Sequence, residues 1–384
     1  MADIIGAGEA PYTRHPQDGT TTARVLFRAA RQAVDESGIA WSDIDGLGVS
    51  SFTLEPDHAV DLAWRMGLGE LGWLHQDTNG GASGVSMLQA AVDAVEAGRA
   101  ENILLIAGDR MDMSDFEHLV SRYNSATAEH LAPLPMSGPN ALFALLTQRQ
   151  MSALGLARED YGHLVLSQRR WASGNPGAVY REPMTMAQYL EAPVVAPPLG
   201  RYDCVPPVTG ADAVVVQAAD RASPSGGSGR ARVRILAAEI TYNVDDQDTD
   251  GLTTGLRGVA PRAWKRAGFG PEDLDVVHVY DDYPAMNIAQ FLDIGLCAEG
   301  DVSRFIREEV ATGRTPVNTS GGQLSAGQAG AGAGMHGVVE AVRQLSGRAP
   351  GRQITGASRA AVTGYGMVLY RYGACAGMTV LEAA

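Results

Sequence analysis

The chain has 384 residues, long for one simple domain and short for three, which predicts two similar lobes. A hydrophobic content of 45% against 19% charged residues describes a compact, well-buried globule. A net charge of −14 with no basic stripe argues against a nucleic-acid partner.

In chain order, the N-terminal stretch MADIIGAGEAPYTR holds no apolar core of signal-peptide length, and no apolar run approaches the roughly 20 residues of a membrane span. Residues 78–84, TNGGASG, form a glycine-rich loop. After it, SGVSMLQAAVDAVEAG (83–98) has apolar residues at three- and four-residue spacing and predicts a buried helix stopped by Gly98. ENILLIAGD (101–109) then predicts a buried strand. Residues 110–200 differ in composition. They hold LAPLPMSGP, SGNPGAVYREP and APVVAPPLG between helical stretches, an excursion suited to a cap or a dimer surface. DAVVVQA (212–218) and RVRILAAEI (232–240) predict strands on either side of a Ser/Pro/Gly surface crossing at 219–235.

The first pattern then returns. NTSGGQLSAGQAGAGAG (318–334) is a second glycine loop, GMHGVVEAVRQLSG (334–347) a second buried helix, and GRQITGAS (351–358) predicts a strand. The joints match as well, AGRAEN at 97–102 and SGRAPG at 346–351. Glycine loop, helix, joint and strand thus occur twice, about 250 residues apart, an internal duplication whose period is too long for a solenoid. The boundaries that follow are a first lobe at 1–225, including the excursion at 110–200, and a second lobe at 226–384.

Glycine loops that open helices present free backbone N–H groups and the positive end of the helix dipole, a setting for an anion or an oxyanion. A dinucleotide site does not fit, because no G-x-G-x-x-G is followed by an acidic residue about 20 positions on. Cys204, Cys297 and Cys375 lie far apart and have no metal-ligand spacing. Three is odd for a disulfide framework, and a reducing cytoplasm fits that count.

These stretches together resemble the thiolase superfamily, in particular its sterol-carrier and lipid-transfer-protein type, nearly end to end. GASG stands where thiolases carry Cys-x-Ser-Gly, with Gly81 at the cysteine. VYDDYPAMNIAQFLDIGLC (279–297) matches Asn-Glu-x-Phe or His-Asp-x-Phe, placing Tyr280 at the Asn/His position. The second glycine loop resembles Gly-Gly-x4-Gly-His-Pro-x-Gly with Gln328 at the histidine, and TGYGM (363–367) follows the second cysteine position, held here by Val362. The resemblance implies an α/β fold of two duplicated βαβαβ lobes in five layers, αβαβα. It also implies a homodimer through the lobe with the first glycine loop.

The departures set the chemistry. Thiolysis needs an activated thiolate and an acid/base cysteine, and this chain has Gly81, Gln328 and Val362 at those positions. The three cysteines elsewhere read as small buried residues. A pocket that keeps the oxyanion donors and loses the nucleophile suits a retro-aldol. It would cleave a β-hydroxyacyl-CoA into a ketone or aldehyde and a shorter acyl-CoA, without an acyl-cysteine. Gly81 would leave room for a branched β-carbon. The resemblance agrees, since cysteine-free members of this branch include steroid side-chain aldolases that work with a small OB-fold, zinc-ribbon partner.

The expected catalytic groups are Tyr280, Tyr365 and Gln328. Gly80, Gly81, Asp281, Tyr283 and His336 are expected around the substrate or its oxyanion, with Asp282 flanking the motif and His75 and Asp77 at the base of the first loop. No metal and no cofactor beyond the CoA ester is expected. Two other readings stand beside this one: a non-catalytic acyl-CoA or lipid carrier, including the silent subunit of a heteromeric thiolase, and a ketosynthase-like condensing enzyme, which the missing cysteine and histidine disfavour.

Overall fold

A computed structural model describes all residues except 132, 135–137, 220–231, 245–251 and 370–371. Nine strands build one sheet: β1 (Ala2–Thr13), β2 (Gly46–Ser50), β3 (Trp73–Asp77), β4 (Asn102–Asp109), β5 (Thr209–Ala218), β6 (Val233–Tyr242), β7 (Val276–His278), β8 (Arg359–Leu369) and β9 (Tyr372–Ala383). Their spatial order is β3-β2-β4-β5-β1-β6-β9-β8-β7.

That order contains the duplication. In the first half the five strands lie as third, second, fourth, fifth, first. The second half repeats this as Val317, β7, β8, β9, β6, its third strand reduced to an isolated parallel bridge between Val277 and Val317. The strand senses repeat too. The second strand runs parallel to the fourth, and the fifth runs antiparallel to both the fourth and the first. The halves join where Ala2, Asp3 and Ile4 pair with Ile235, Arg234 and Val233.

Helices fill the remaining layers. Thr22–Ser37 puts Val25, Leu26, Ala29, Ala33 and Val34 on one stripe and buries it on the outer face of the first half. Its ends are set by Thr21, which caps the Arg24 N–H, and by the left-handed Gly38. Leu256–Ala267 covers β6 and β9 of the second half. Between the halves lie the two predicted helices, Ser83–Glu96 and Ala333–Leu345, whose Met87, Leu88, Ala91, Val338, Val339 and Val342 share one core with strands of both halves. They touch at glycines: a Cβ on Gly84 would lie 1.9 Å from the Gly334 carbonyl. The layers therefore run αβαβα.

Two readings of the sequence change. Residues 351–358 are turns, because Gly351 and Gly356 take φ of +83° and +76°, and the strand starts only at Arg359. The excursion belongs to the first half by sequence but packs on the second. Phe143, Leu146, Tyr161, Leu164 and Val165 of its Pro139–Leu154 and Arg158–Ser173 helices share a core with Val277, Met286 and Phe291. Most of the crossing at 219–235, and with it the boundary between 225 and 226, lies outside the described residues.

Candidate active site

Both glycine loops fold alike. Gly80–Ala82 and Gly330–Gly332 each form one tight turn that runs into a central helix, and Gly80 and Gly330 both have φ of +56°. Asp77 braces the first turn by accepting from the Asn79 N–H and from the Ser83 and Ser86 hydroxyls, and His75 lies 3.6 Å from the same carboxylate. Asp109 braces the second. It accepts from the Ala331 N–H and, on its other oxygen, from the Phe52 and Thr53 N–H groups, so it ties a cleft wall to a cleft floor. Burial pushes the Asp109 carboxyl up to about 6.

Between these turns and the excursion lies a cleft of about 850 Å³ with the solvent at its mouth included. Its walls are apolar: Phe52, Phe116, Leu119, Leu131, Phe143 and Met286. Its floor carries Gly81, Tyr280, Asp282, Gln328 and Tyr365.

Three side chains on that floor form a triangle. The Tyr280 hydroxyl donates to Asp282 Oδ2 at 3.0 Å. Gln328 Nε2 donates to both Asp282 oxygens, at 2.7 and 2.8 Å, and lies 3.3 Å from Tyr280 Oη. Burial pushes the Asp282 carboxyl up to about 7, against the lowering effect of the Tyr280 and Gln328 hydrogen bonds. Burial, and then the Asp282 charge, push the Tyr280 phenol well above its ordinary value. A carboxylate poised near neutrality beside two donors can accept a proton from a substrate hydroxyl and return it.

Gly81 does not leave room for substrate. A Cβ there would lie 2.2 Å from Tyr280 Cζ and 2.3 Å from the Tyr365 carbonyl. The Tyr280 ring occupies the volume a side chain at 81 would need. Gly81→Ala should therefore displace Tyr280 and lower the melting temperature, with ΔΔG of about 1–3 kcal/mol, the usual cost of overpacking. An unchanged melting curve together with unchanged turnover would refute this placement.

The other expected residues divide. Tyr365 lines the cleft, but its hydroxyl accepts the Gly373 N–H at 2.5 Å and so serves the β8–β9 pairing. Tyr283 is a wall residue, stacked on Phe143 with centroids 4.3 Å apart and donating to Asn140. Asp281 does not face the cleft. It accepts from the Gln323 and Leu324 N–H groups and from Gln168 Nε2. His336 is also elsewhere, between Tyr12 Oη at 2.9 Å and Ser320 Oγ at 2.8 Å. Gly80 holds its turn. No cysteine lines the cleft, and burial pushes the thiols up, Cys204 and Cys297 to about 12 and Cys375 to about 11.

Asp282 is the group that sequence reasoning undervalued. The signal was present, since in extended chain residues i and i+2 face the same side. Tyr280 and Asp282 therefore point together and Asp281 points away.

Comparison with known proteins agrees with this architecture. Residues 237–376 match the thiolase C-terminal domain-like family. Across 368 residues the chain is 29% identical to a 17-hydroxy-3-oxo-4-pregnene-20-carboxyl-CoA lyase of Mycobacterium tuberculosis, covering 90% of this chain and 92% of that one. It is 28% identical over 363 residues to a steroid side-chain-cleaving aldolase of Thermomonospora curvata, with 90% of each covered. The chain is similar to proteins of the thiolase superfamily. A solved structure, that of an Ltp2-ChsH2(DUF35) aldolase, superposes with a TM-score of 0.82 at 25% identity over 100% of this chain and 97% of that one. The similarity extends to sterol carrier protein 2 of Gallus gallus, 23% identical over 375 residues, with 93% of this chain and 68% of that one covered. No helix among the described residues is long and apolar enough to cross a membrane.

Proposed function

We propose that the protein is a carbon–carbon lyase that cleaves the Cα–Cβ bond of a β-hydroxyacyl-CoA, releasing a ketone or aldehyde and a shorter acyl-CoA. The observation that carries this reading is the Tyr280–Asp282–Gln328 triangle at the foot of an apolar cleft, with the Tyr280 ring filling the place of a nucleophile at Gly81.

In this scheme the Asp282 carboxylate takes the β-hydroxyl proton. The oxygen's electron pair forms the new carbonyl, and the Cα–Cβ pair moves onto the thioester as an enolate. Gln328 keeps one N–H on Asp282 and offers the other to the enolate oxygen, and a fixed donor of this kind contributes on the order of 3 kcal/mol. Tyr280 then delivers its phenolic proton to Cα and is recharged by protonated Asp282. No acyl-enzyme forms and no cofactor is called for. The aromatic walls suit a bulky, steroid-like acyl group, in keeping with the names of the two relatives.

The experiment is a direct assay with a tertiary β-hydroxyacyl-CoA, following the ketone and the shortened acyl-CoA by mass spectrometry, with and without a DUF35-type partner. Both products should appear in equal amounts, and the intact protein mass should not change. If no ester of such a panel is cleaved in either condition, the carrier reading replaces this one.

Assembly follows the same resemblance. Among the described residues no Lys or Arg lines the cleft, so cations for the phosphates of CoA are sought beyond it, on this chain or on a DUF35-type partner of the kind named in the solved aldolase. The sheet also ends at β3, an open edge on which Leu74 is 43% exposed, and Trp64, on the helix beside it, is 81% exposed. An open edge with exposed apolar side chains is a pairing surface, and a homodimer through this edge is the proposed assembly. Trp64→Glu should shift light scattering at micromolar concentration from dimer toward monomer. A wild-type protein that is monomeric and active under those conditions refutes the dimer.

A further inference from the structure

The arginines held inside this fold have carboxylates beside them. Arg352 is paired with Glu340 at 2.7 Å, Arg343 with Glu9 at 3.1 Å, and Arg158 with Asp203 at 2.8 Å. Arg169 breaks the pattern. It stands on the Arg158–Ser173 helix, only 6% exposed, and no Asp or Glu among the described residues pairs with it. Its Nε donates to Ser325 Oγ at 3.2 Å, and its guanidinium lies 4.9 Å from the Tyr180 ring centre and 5.6 Å from that of Tyr202. Arg14 brings a second guanidinium to Tyr180, at 5.7 Å, and it too has no carboxylate partner among the described residues. With 44 Asp and Glu against 30 Lys and Arg, the chain has acidic side chains in excess, yet none among the described residues pairs with either guanidinium.

An uncompensated buried guanidinium is costly to the fold. Aromatic faces offset part of that cost, but they do not replace an anion. The planar, doubly donating guanidinium matches a phosphate oxygen pair better than any other side chain. We infer that Arg169, with Arg14, Tyr180 and Tyr202, forms a binding site for a phosphate group. Tyr180, Tyr202 and Arg14 are only half-buried, so the site opens to solvent. It is joined to the cleft through one turn: Tyr180 N–H donates to the Ser325 carbonyl, and Gln328, three residues on, is on the cleft floor. The phosphate could belong to the CoA ester whose acyl end fills the cleft, or be a free ion. The inference does not depend on carbon–carbon cleavage, and the test measures binding alone.

Wild type, Arg169→Met and Arg14→Gln would be titrated with inorganic phosphate, CoA and pantetheine by calorimetry and thermal shift. Wild type should bind inorganic phosphate and be stabilised by it, with affinity falling at least tenfold in Arg169→Met. Without ligand, Arg169→Met should melt no lower than wild type, because the uncompensated charge is gone. CoA affinity falling in parallel while pantetheine is unaffected assigns the site to the CoA phosphates; CoA unaffected while phosphate binding is lost assigns it to the free ion. Arg14→Gln keeps Arg169 and should show a smaller loss, which preserves the test if Arg169→Met fails to fold. Phosphate and CoA binding as tightly to the variants as to wild type, or no binding of either to wild type, overturns the inference.

Discussion

Tyr280→Phe should turn over a β-hydroxyacyl-CoA about 10² to 10⁴ times more slowly than wild type, with the loss in kcat rather than KM. The ring packing against Gly81 survives this change, since only the hydroxyl leaves. One buried hydrogen bond to Asp282 is lost, so stability should fall by about 1 kcal/mol. A second signature separates this from a packing effect. The Tyr280 hydroxyl helps hold the Asp282 carboxyl down, and without it that carboxyl rises above its present value of about 7. The acid limb of the pH–rate profile should move upward in Tyr280→Phe. Tyr365→Phe, whose hydroxyl serves Gly373, should keep both kcat and the pH profile close to wild type. Wild-type turnover in Tyr280→Phe, or an equal loss in Tyr365→Phe, would remove Tyr280 from the proton path.

Asp282→Asn should be nearly inactive, again with a loss of about 10² to 10⁴. In wild type the base is the ionised form. With its carboxyl at about 7, kcat should be level above that pH and fall about tenfold per unit below it. The stability effect has the opposite sign to the usual buried ion pair. A carboxyl whose folded value is raised disfavours the fold when ionised, so that penalty is present at pH 8 and fades as pH falls from about 7 toward the ordinary carboxylate range. Asp282→Asn should therefore match or exceed the wild-type melting temperature at pH 8 while losing activity. An asparagine variant with full activity, or a wild-type profile without an acid limb near neutrality, would falsify the assignment.

The repeated unit was the most legible part of the sequence. A glycine turn that runs into an alanine-rich helix is written in residue types, because only glycine takes φ of +56° freely and only small residues let the two central helices meet at Gly84 and Gly334. The second third strand was not legible, since a single bridge at Val317 leaves no hydrophobic period to read. Residues 351–358 looked like a strand because they follow the second joint as 101–109 follow the first, although Ile354 is the one apolar residue between the turn glycines Gly351 and Gly356. At the site, position along the motif placed Tyr280 and Gln328 on one floor. It could not show that His336 is turned toward Tyr12, or that Tyr365 is committed to Gly373, since both depend on which side chain happens to face them across the sheet. That no carboxylate among the described residues pairs with Arg169 is likewise a fact of space, invisible in a chain where acidic residues are common.

The Tyr280 ring resting in the notch above Gly81 also restricts the order in which this site can have been assembled. A cysteine at 81 and a tyrosine at 280 cannot be present together without moving one of them, so the two positions are coupled. A chain that exchanges a side chain at 81 for the tyrosine avoids the clash only if position 81 shrinks no later than position 280 grows. The return is blocked in the same way: restoring cysteine alone meets the ring, and shrinking the tyrosine alone leaves an empty notch. Exchanging one chemistry for the other on this scaffold needs both positions to change and the Tyr365 carbonyl, 2.3 Å from the same Cβ, to shift as well.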